Sequence, residues 1–143
     1  MNSLAAIGAG LAITLCWVTP SMADEATPIE PGLWAYTANT FVIGVKSGRQ
    51  CVKREQVEEF LTGPRNRHYR CTYPDRSIGG GRISFSGDCL DKGDRHRYHL
   101  VVRGNYRPES FDLEGSVAGP ILGLSLTLPL SIHAHRIAAT CTE

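Results

Sequence analysis

The most regular pattern in the chain is an alternation of apolar and polar positions near its C-terminal end. Between residues 124 and 134 every even-numbered position is Leu, Ile or Ala, whereas the odd-numbered positions are Ser, Thr, His and one proline, Pro129. Successive side chains of a strand point to opposite faces. The segment is therefore predicted to be a strand with one buried face. Pro129 indicates an edge or bulged strand, because proline cannot donate to the hydrogen-bond ladder.

The same period of two recurs in three segments further upstream. Residues 81–89, 95–106 and 109–117 each carry one apolar and one polar face, and Lys92-Gly93 marks a hairpin turn between the first two. Strands this regular, separated by short turns, predict an antiparallel meander that curls around one core into a half-barrel or small barrel. The apolar faces consist of Ile83, Phe85 and Cys89, then of Tyr98, Leu100, Val102 and Tyr106, and then of Phe111, Leu113 and Val117.

One segment, residues 53–61, follows a helical period instead. Its apolar residues Val57, Phe60 and Leu61 are spaced i, i+3 and i+4, and Gly63-Pro64 ends the pattern. Such a short stripe can be buried only against another element, so we expect the helix to cover one end or edge of the sheet. An earlier strand is predicted in residues 31–40. The predicted fold class is therefore mainly β with one short helix.

The N-terminal residues are typical of a removable export signal. Leu4 to Val18 is an uncharged, mostly apolar run, too short to span a bilayer comfortably and long enough for the core of a signal peptide. Pro20 breaks it, and Ser21-Met22-Ala23 supplies small residues before a cut. We expect a signal peptide in residues 1–23 and one domain in 24–143, which is exported to the periplasm as a soluble protein with no transmembrane anchor.

Charge and cysteine content narrow the classes of function. The signal carries no charged side chain, so the mature chain keeps the formal net charge of +1, which argues against a nucleic-acid partner. Four cysteines remain, Cys51, Cys71, Cys89 and Cys141, and their wide spacing favours two disulfides over a zinc site. Of the three pairings that four cysteines allow, we expect Cys51–Cys71 and Cys89–Cys141.

The pair His133 and His135 is the strongest candidate for metal chemistry. Both occupy odd positions, which belong to the polar face of the predicted last strand. A catalytic zinc needs a third protein ligand and a shaped cavity, and His99 would reach the pair only from a neighbouring strand. We therefore expect no metal, no cofactor and no catalytic residue, and the protein is not predicted to be an enzyme. A metal-dependent hydrolase ranks last among its functions.

Two further groups of residues suggest binding. Arg65, Arg67 and Arg70 lie close together beside His68 and Tyr69 and suit an anionic group, although such charge runs are usually solvated loops. The leucine-rich run 121–130 could contact lipid, but the alternation is explained by a soluble core.

The predicted inward face could also hold a ligand. If the sheet curls far enough, its interior could hold a small apolar molecule, although a filled core is favoured for this number of strands. The lining residues would be Trp34, Tyr98, Leu100, Tyr106, Phe111 and Leu113. We therefore expect a binding or accessory module of the cell envelope. The alternative is a protein-interaction domain that uses an exposed edge strand.

A set of short motifs resembles a known family. The motifs, in chain order, are Pro31-Gly32-x-Trp34, Gln50-Cys51, a short helix, Cys71, Phe-Ser-Gly-Asp at 85–88, and Arg136 ahead of Cys141. This order is similar to that of small exported proteins of Gram-negative bacteria known only as a domain of unknown function. The resemblance implies a periplasmic protein with a largely β fold. It implies no established activity and no catalytic residues.

Overall fold

In a computed structural model, the chain forms seven antiparallel strands that pair in the order β2-β1-β7-β6-β5-β4-β3. The structure describes residues 27–40, 44–63 and 67–142. The strands are β1 (Gly32–Thr40), β2 (Gly44–Val52), β3 (Tyr69–Gly79), β4 (Arg82–Asp91), β5 (Arg97–Arg107), β6 (Ser110–Ile121) and β7 (Leu124–Ala138). A 3₁₀ turn, Arg54–Gln56, leads into the one α-helix of these residues, α1 (Val57–Leu61). The predicted signal peptide lies outside the described residues.

The sheet does not close on itself. Strands β3 to β7 follow one another as a meander, and β1 joins the far side of β7 with β2 beyond it. Strands β2 and β3 are therefore the two free edges. The mainly β, antiparallel fold with one short helix is confirmed, and of the two predicted forms it is the unclosed one.

The connection between the two edges shows that the sheet is curled. In a flat sheet, six strand spacings of about 4.8 Å would separate β2 from β3 by about 29 Å. The chain advances only about 9–12 Å over the six residues from the end of β2 at Val52 to Glu58. Nevertheless, Glu58 forms an ion pair of 3.1 Å with Arg76 on β3. The two edges must therefore approach each other around the helix.

The helix fills part of the concave face. Val57, Phe60 and Leu61 are fully buried, and the Phe60 ring packs edge-on against Phe111 at 5.3 Å and against Trp34 at 5.7 Å between centroids. The predicted helix and its buried stripe are confirmed. It crosses the concave face, because its flanking strands are the opposite edges of the sheet. No helix within the described residues is long and apolar enough to cross a membrane.

The predicted faces of the strands are confirmed. The core contains the inward sets of β4, β5 and β6, with Ile83, Phe85, Val102, Phe111 and Leu113 all buried. On β7 the even-numbered Leu130, Ile132 and Ala134 are buried, whereas His133 and His135 are exposed on the convex face. The alternation of apolar and polar residues was a reliable signal for these strands because only one face of each strand is covered by the core.

Pro129 predicts an edge or bulged strand, and of these alternatives the edge is wrong for β7. It lies between β1 and β6. Within the described residues of β1, the register with β7 reaches Leu130, opposite Thr40, and Pro129 pairs with Ser116 of β6.

Candidate functional site

The disulfides differ from the predicted pairing. All four cysteines are bonded, but the pairs are Cys51–Cys141 and Cys71–Cys89. Cys71 and Cys89 are direct partners in the β3–β4 register. Cys51–Cys71 would have joined β2 to β3, which are not hydrogen-bonded neighbours and lie at opposite ends of the strand order. Two disulfides are typical of a protein that folds in an oxidising compartment.

One end of the half-barrel is tied together by the motif that begins β1. Arg136 donates through Nε to the Pro31 carbonyl at 2.9 Å and forms an ion pair of 3.1 Å with Glu109 in the β5–β6 turn. The Trp34 indole, fully buried, donates to the Glu30 carbonyl at 3.0 Å. We name this region, where β1 starts and β7 ends, the closed end. Its contacts are structural, since each polar group is used within the protein.

The opposite end, which we name the open end, contains the β4–β5 and β6–β7 turns and the start of β3. Two tyrosines run across its inner side. Tyr69 and Tyr98 pack edge-on at 5.8 Å, and the Tyr98 hydroxyl donates to the Pro120 carbonyl at 3.4 Å. Burial raises the pKa of both hydroxyls above the ordinary value of 10.0. These contacts link β3, β5 and the last residues of β6.

The apolar stripe of β7 leaves the core as it approaches the open end. Leu130 is 7% exposed, Leu128 and Leu126 are half-buried, and Leu124 is 61% exposed. All four share the inward phase of one strand. A soluble core therefore accounts for the C-terminal half of this stripe only, and the interpretation that it explains the whole run 121–130 is wrong. The sequence could not reveal this, because alternation does not show how far along a strand the covering layer extends.

The predicted ligand-lining residues fall into two groups. Trp34 and Phe111 are buried under Phe60, so the helix occupies that part of the interior. Tyr106, next to the β5–β6 turn at the closed end, is half-buried, and Tyr98, Leu100 and Val117 are half-buried inner residues nearer the open end. Ile121, which precedes the β6–β7 turn, is buried. The helix thus covers the part of the interior around Trp34 and Phe111, and the inner surface nearer the open end is only partly covered.

Two of the three predicted anion-binding arginines, Arg67 and Arg70, belong to the open end. Arg67 precedes β3 and Arg70 lies within it, and both are exposed. Arg65 lies outside the described residues. The Arg67 carbonyl accepts a hydrogen bond of 3.2 Å from Lys92 Nζ, so this segment borders the β4–β5 turn. Because Arg70 is in a strand, the cluster is only partly a loop.

Two histidines of the convex face, His133 and His99, each contact a carboxylate. His133 Nδ1 lies 2.6 Å from a carboxylate oxygen of Asp112, and His99 Nδ1 lies 2.9 Å from Asp88. His99 is on β5, which β6 separates from β7. Within the described ranges, no group of three or more His, Cys, Asp or Glu side chains is arranged to hold a metal ion. His133 and His135 therefore have no third ligand in that part of the chain.

Fold and contacts together define a disulfide-braced β half-barrel that encloses a short helix near its closed end. The chain belongs to the family described as "Protein of unknown function (DUF3617)", whose family model matches residues 29–141. The match starts at the buried Ile29 and ends at the disulfide-bonded Cys141, so it covers the whole sheet. Among curated proteins and among solved structures, nothing matches this chain.

Proposed function

We propose that the mature protein is a periplasmic binding module of the cell envelope that holds a small apolar molecule against the inner face of its open end. The observation that carries the proposal is the β7 stripe, whose leucines continue inward-facing beyond the core, from the buried Leu130 to Leu126 and Leu124. The export signal predicted for residues 1–23 and the two disulfides support the compartment.

The open end has the composition of a small-molecule site. Such sites are mainly apolar, with a few polar groups that orient the ligand. Leu126, Leu128 and Val117 would supply the apolar surface, and the hydroxyl groups of Tyr69 and Tyr98 lie beside it. A molecule that covers these side chains would gain about 25 cal/mol for each Å² of apolar surface removed from water.

The alternative, a protein-interaction domain that uses an edge strand, has less support. The free edge β2 carries Lys46 and Arg49, and the free edge β3 contains Pro74 and a register shift between Thr72 and Asp75. Charged residues, proline and bulges are the features by which proteins prevent further strand pairing. A metal-dependent hydrolase at His133 and His135 ranks last, and we propose no catalytic role for the protein.

The test uses the mature chain, residues 24–143, exported with its disulfides and titrated with the apolar probe N-phenyl-1-naphthylamine. Trp34 is the only tryptophan in residues 24–143, because Trp17 belongs to the predicted signal peptide, so energy transfer from Trp34 reports probe bound to the protein. We expect saturable transfer. Leu126→Asn, on the inner phase, should weaken binding about tenfold or more, and Thr127→Asn, on the exposed outer phase of the same strand, should leave it unchanged.

Two outcomes decide against the proposal. One is the absence of saturable transfer in the wild-type chain at micromolar concentrations. The other is an equal effect of Leu126→Asn and Thr127→Asn when circular dichroism shows that both variants are folded. Native mass spectrometry of the protein taken from its own periplasm would then identify the natural ligand, as a retained small molecule whose mass is lost in Leu126→Asn.

A further inference from the structure

The turn between β6 and β7 carries the most exposed large apolar side chain of the described residues. Leu122 is 95% exposed and has a φ of +52°, and Gly123, the other turn residue, has a φ of +77°. Positive φ at both central positions defines a type I′ turn, which favours Asn or Gly at the first position. A bulky leucine there is disfavoured by its backbone conformation and by its contact with water. Leu124 follows at 61% exposure.

Cationic side chains surround this turn at the open end. Arg67 and Arg70 come from the start of β3, and Lys92 and Arg95 come from the β4–β5 turn; all four are exposed. Among the described residues, the side chains of Arg67, Arg70 and Arg95 form no ion pair. These positive charges are therefore available to an external partner.

The carboxylates of the same region are engaged within the protein. The Asp91 carboxylate accepts a hydrogen bond of 2.7 Å from the Gly93 backbone amide. The Asp94 carboxylate accepts one of 2.9 Å from the His96 backbone amide and also contacts the imidazole ring of His96. Asp88 contacts His99 and Arg97. Among the described residues of the open end, five cations, including Arg97, thus stand against three occupied carboxylates, which gives these residues a net positive charge.

The arginines and the leucines belong to one surface. The contacts Tyr69–Tyr98 and Tyr98–Pro120 connect the start of β3 directly to the residues that precede the β6–β7 turn. The register places the β4–β5 and β6–β7 turns at the same end of neighbouring strands. An exposed apolar tip is therefore flanked on one side by a belt of unpaired cations.

We propose that the open end docks onto the surface of an anionic phospholipid bilayer. Leu122 and Leu124 enter the headgroup boundary, and the side chains of Arg67, Arg70 and Arg95 lie near the lipid phosphates. The charge complementarity carries the choice of partner: cations from two separate segments lie beside a projecting apolar tip, a combination that suits the charged surface and apolar boundary of a bilayer. This inference does not depend on the apolar ligand proposed above.

The experiment is co-sedimentation of the mature chain with vesicles of phosphatidylcholine alone or mixed with phosphatidylglycerol. We expect binding to the anionic vesicles, weakened by added salt because screening reduces surface electrostatics. Leu122→Asn should weaken it about tenfold, although Asn suits the turn better than Leu. Arg70→Gln and Arg95→Gln should each weaken it about fivefold, and Arg82→Gln, an exposed arginine at the closed end, should have no effect.

The proposal is overturned if the wild-type chain does not sediment with anionic vesicles, in which case the open end is better explained as a contact for a protein partner. It is also overturned if Arg82→Gln weakens binding as much as Arg70→Gln. Energy transfer to N-phenyl-1-naphthylamine, measured on the same variants, keeps the two proposals apart. Leu122→Asn should lose vesicle binding and retain probe binding, whereas Leu126→Asn should lose probe binding.

Discussion

Arg136 lies across the backbone of Gly32 at the closed end. Its Nε atom is 2.9 Å from the position that a Cβ atom on Gly32 would occupy, and the same nitrogen donates to the Pro31 carbonyl at 2.9 Å. Gly32 also has a φ of +148°, a conformation that residues with a side chain rarely adopt. The Pro-Gly-x-Trp start and the late arginine, which are far apart in sequence, thus form one contact that holds β1 against β7.

The first prediction concerns this contact. Gly32→Ala should lower the free energy of unfolding by about 2–3 kcal/mol, because the new methyl group meets Arg136 and the Ala138 carbonyl in a strained conformation. Gly79→Ala is the matched control, since a Cβ atom there meets nothing within 4 Å, and it should change stability by less than about 0.5 kcal/mol. Urea unfolding measures both. Equal stability of the two variants would contradict the importance of the contact.

Much of this fold could be predicted from local patterns. Strands β4 to β7 were recognisable because each has one buried face, so that Phe85 and Ser86, or Ile132 and His133, fall into different phases. The helix was recognisable from Phe60 and its neighbours. β3 was not, because the register shift beside Pro74 interrupts its alternation.

Long-range relations could not be predicted in the same way. The pairing of β1 with β7 and the disulfide Cys51–Cys141, whose residues are 90 positions apart, depend on where the ends of the sheet meet. The candidate site shows the same limit. The sequence identified Leu124 as inward-facing, but its 61% exposure depends on how far the covering layer extends along β7, which alternation does not encode.

The second prediction concerns the disulfides. In the chain-entropy model, replacing Cys51 and Cys141 with Ser should cost about 4–5 kcal/mol, and replacing Cys71 and Cys89 with Ser about 3 kcal/mol, because the first bond closes the longer loop. Urea unfolding of the two double variants shows which disulfide contributes more to the free energy of unfolding. Non-reducing peptide mapping must recover a Cys51–Cys141 peptide, and a Cys51–Cys71 peptide would refute this connectivity.

The third prediction concerns the exposed turn. Leu122→Asn should raise the free energy of unfolding by about 1 kcal/mol, since Asn tolerates positive φ better than Leu, and the melting temperature by about 4 °C. Leu122→Val should lower stability instead, because a β-branched residue suits this conformation less well. Thermal unfolding of both variants checks that the melting temperature rises in Leu122→Asn and falls in Leu122→Val. A loss of stability in Leu122→Asn would mean that the leucine is retained for its packing.

The fourth prediction is a pH dependence on the convex face. The hydrogen bond from His99, with the charges of His99 and Arg97, holds the pKa of Asp88 below its ordinary value of 3.8. A lowered folded pKa means that the stabilisation is complete above 3.8 and is lost as the pH falls from there through the folded value. Asp88→Asn should therefore be less stable than wild type at pH 6, and the difference should shrink below pH 4.

The control for this effect is the partner imidazole. His99→Gln removes the main cause of the pKa shift. The loss of stability caused by Asp88→Asn should therefore depend less on pH in the His99→Gln background than in the wild-type background. Chemical unfolding at several pH values measures all four proteins. An undiminished pH dependence in the absence of His99 would assign the effect to Arg97 instead.

The last prediction concerns the histidine pair of β7. His133 and His135 are exposed on the convex face, and the contact of His133 with Asp112 joins two side chains that are each more than half exposed. Pairs of this kind contribute about 0–1 kcal/mol, so His133→Ala should cost no more than that, and His135→Ala should fall within about 0.5 kcal/mol of wild type. Isothermal titration should show zinc binding no tighter than micromolar, since two imidazoles without a third ligand bind weakly. A stoichiometric metal that survives purification and is lost in the double variant, together with several degrees of melting temperature, would show that a further ligand completes the site.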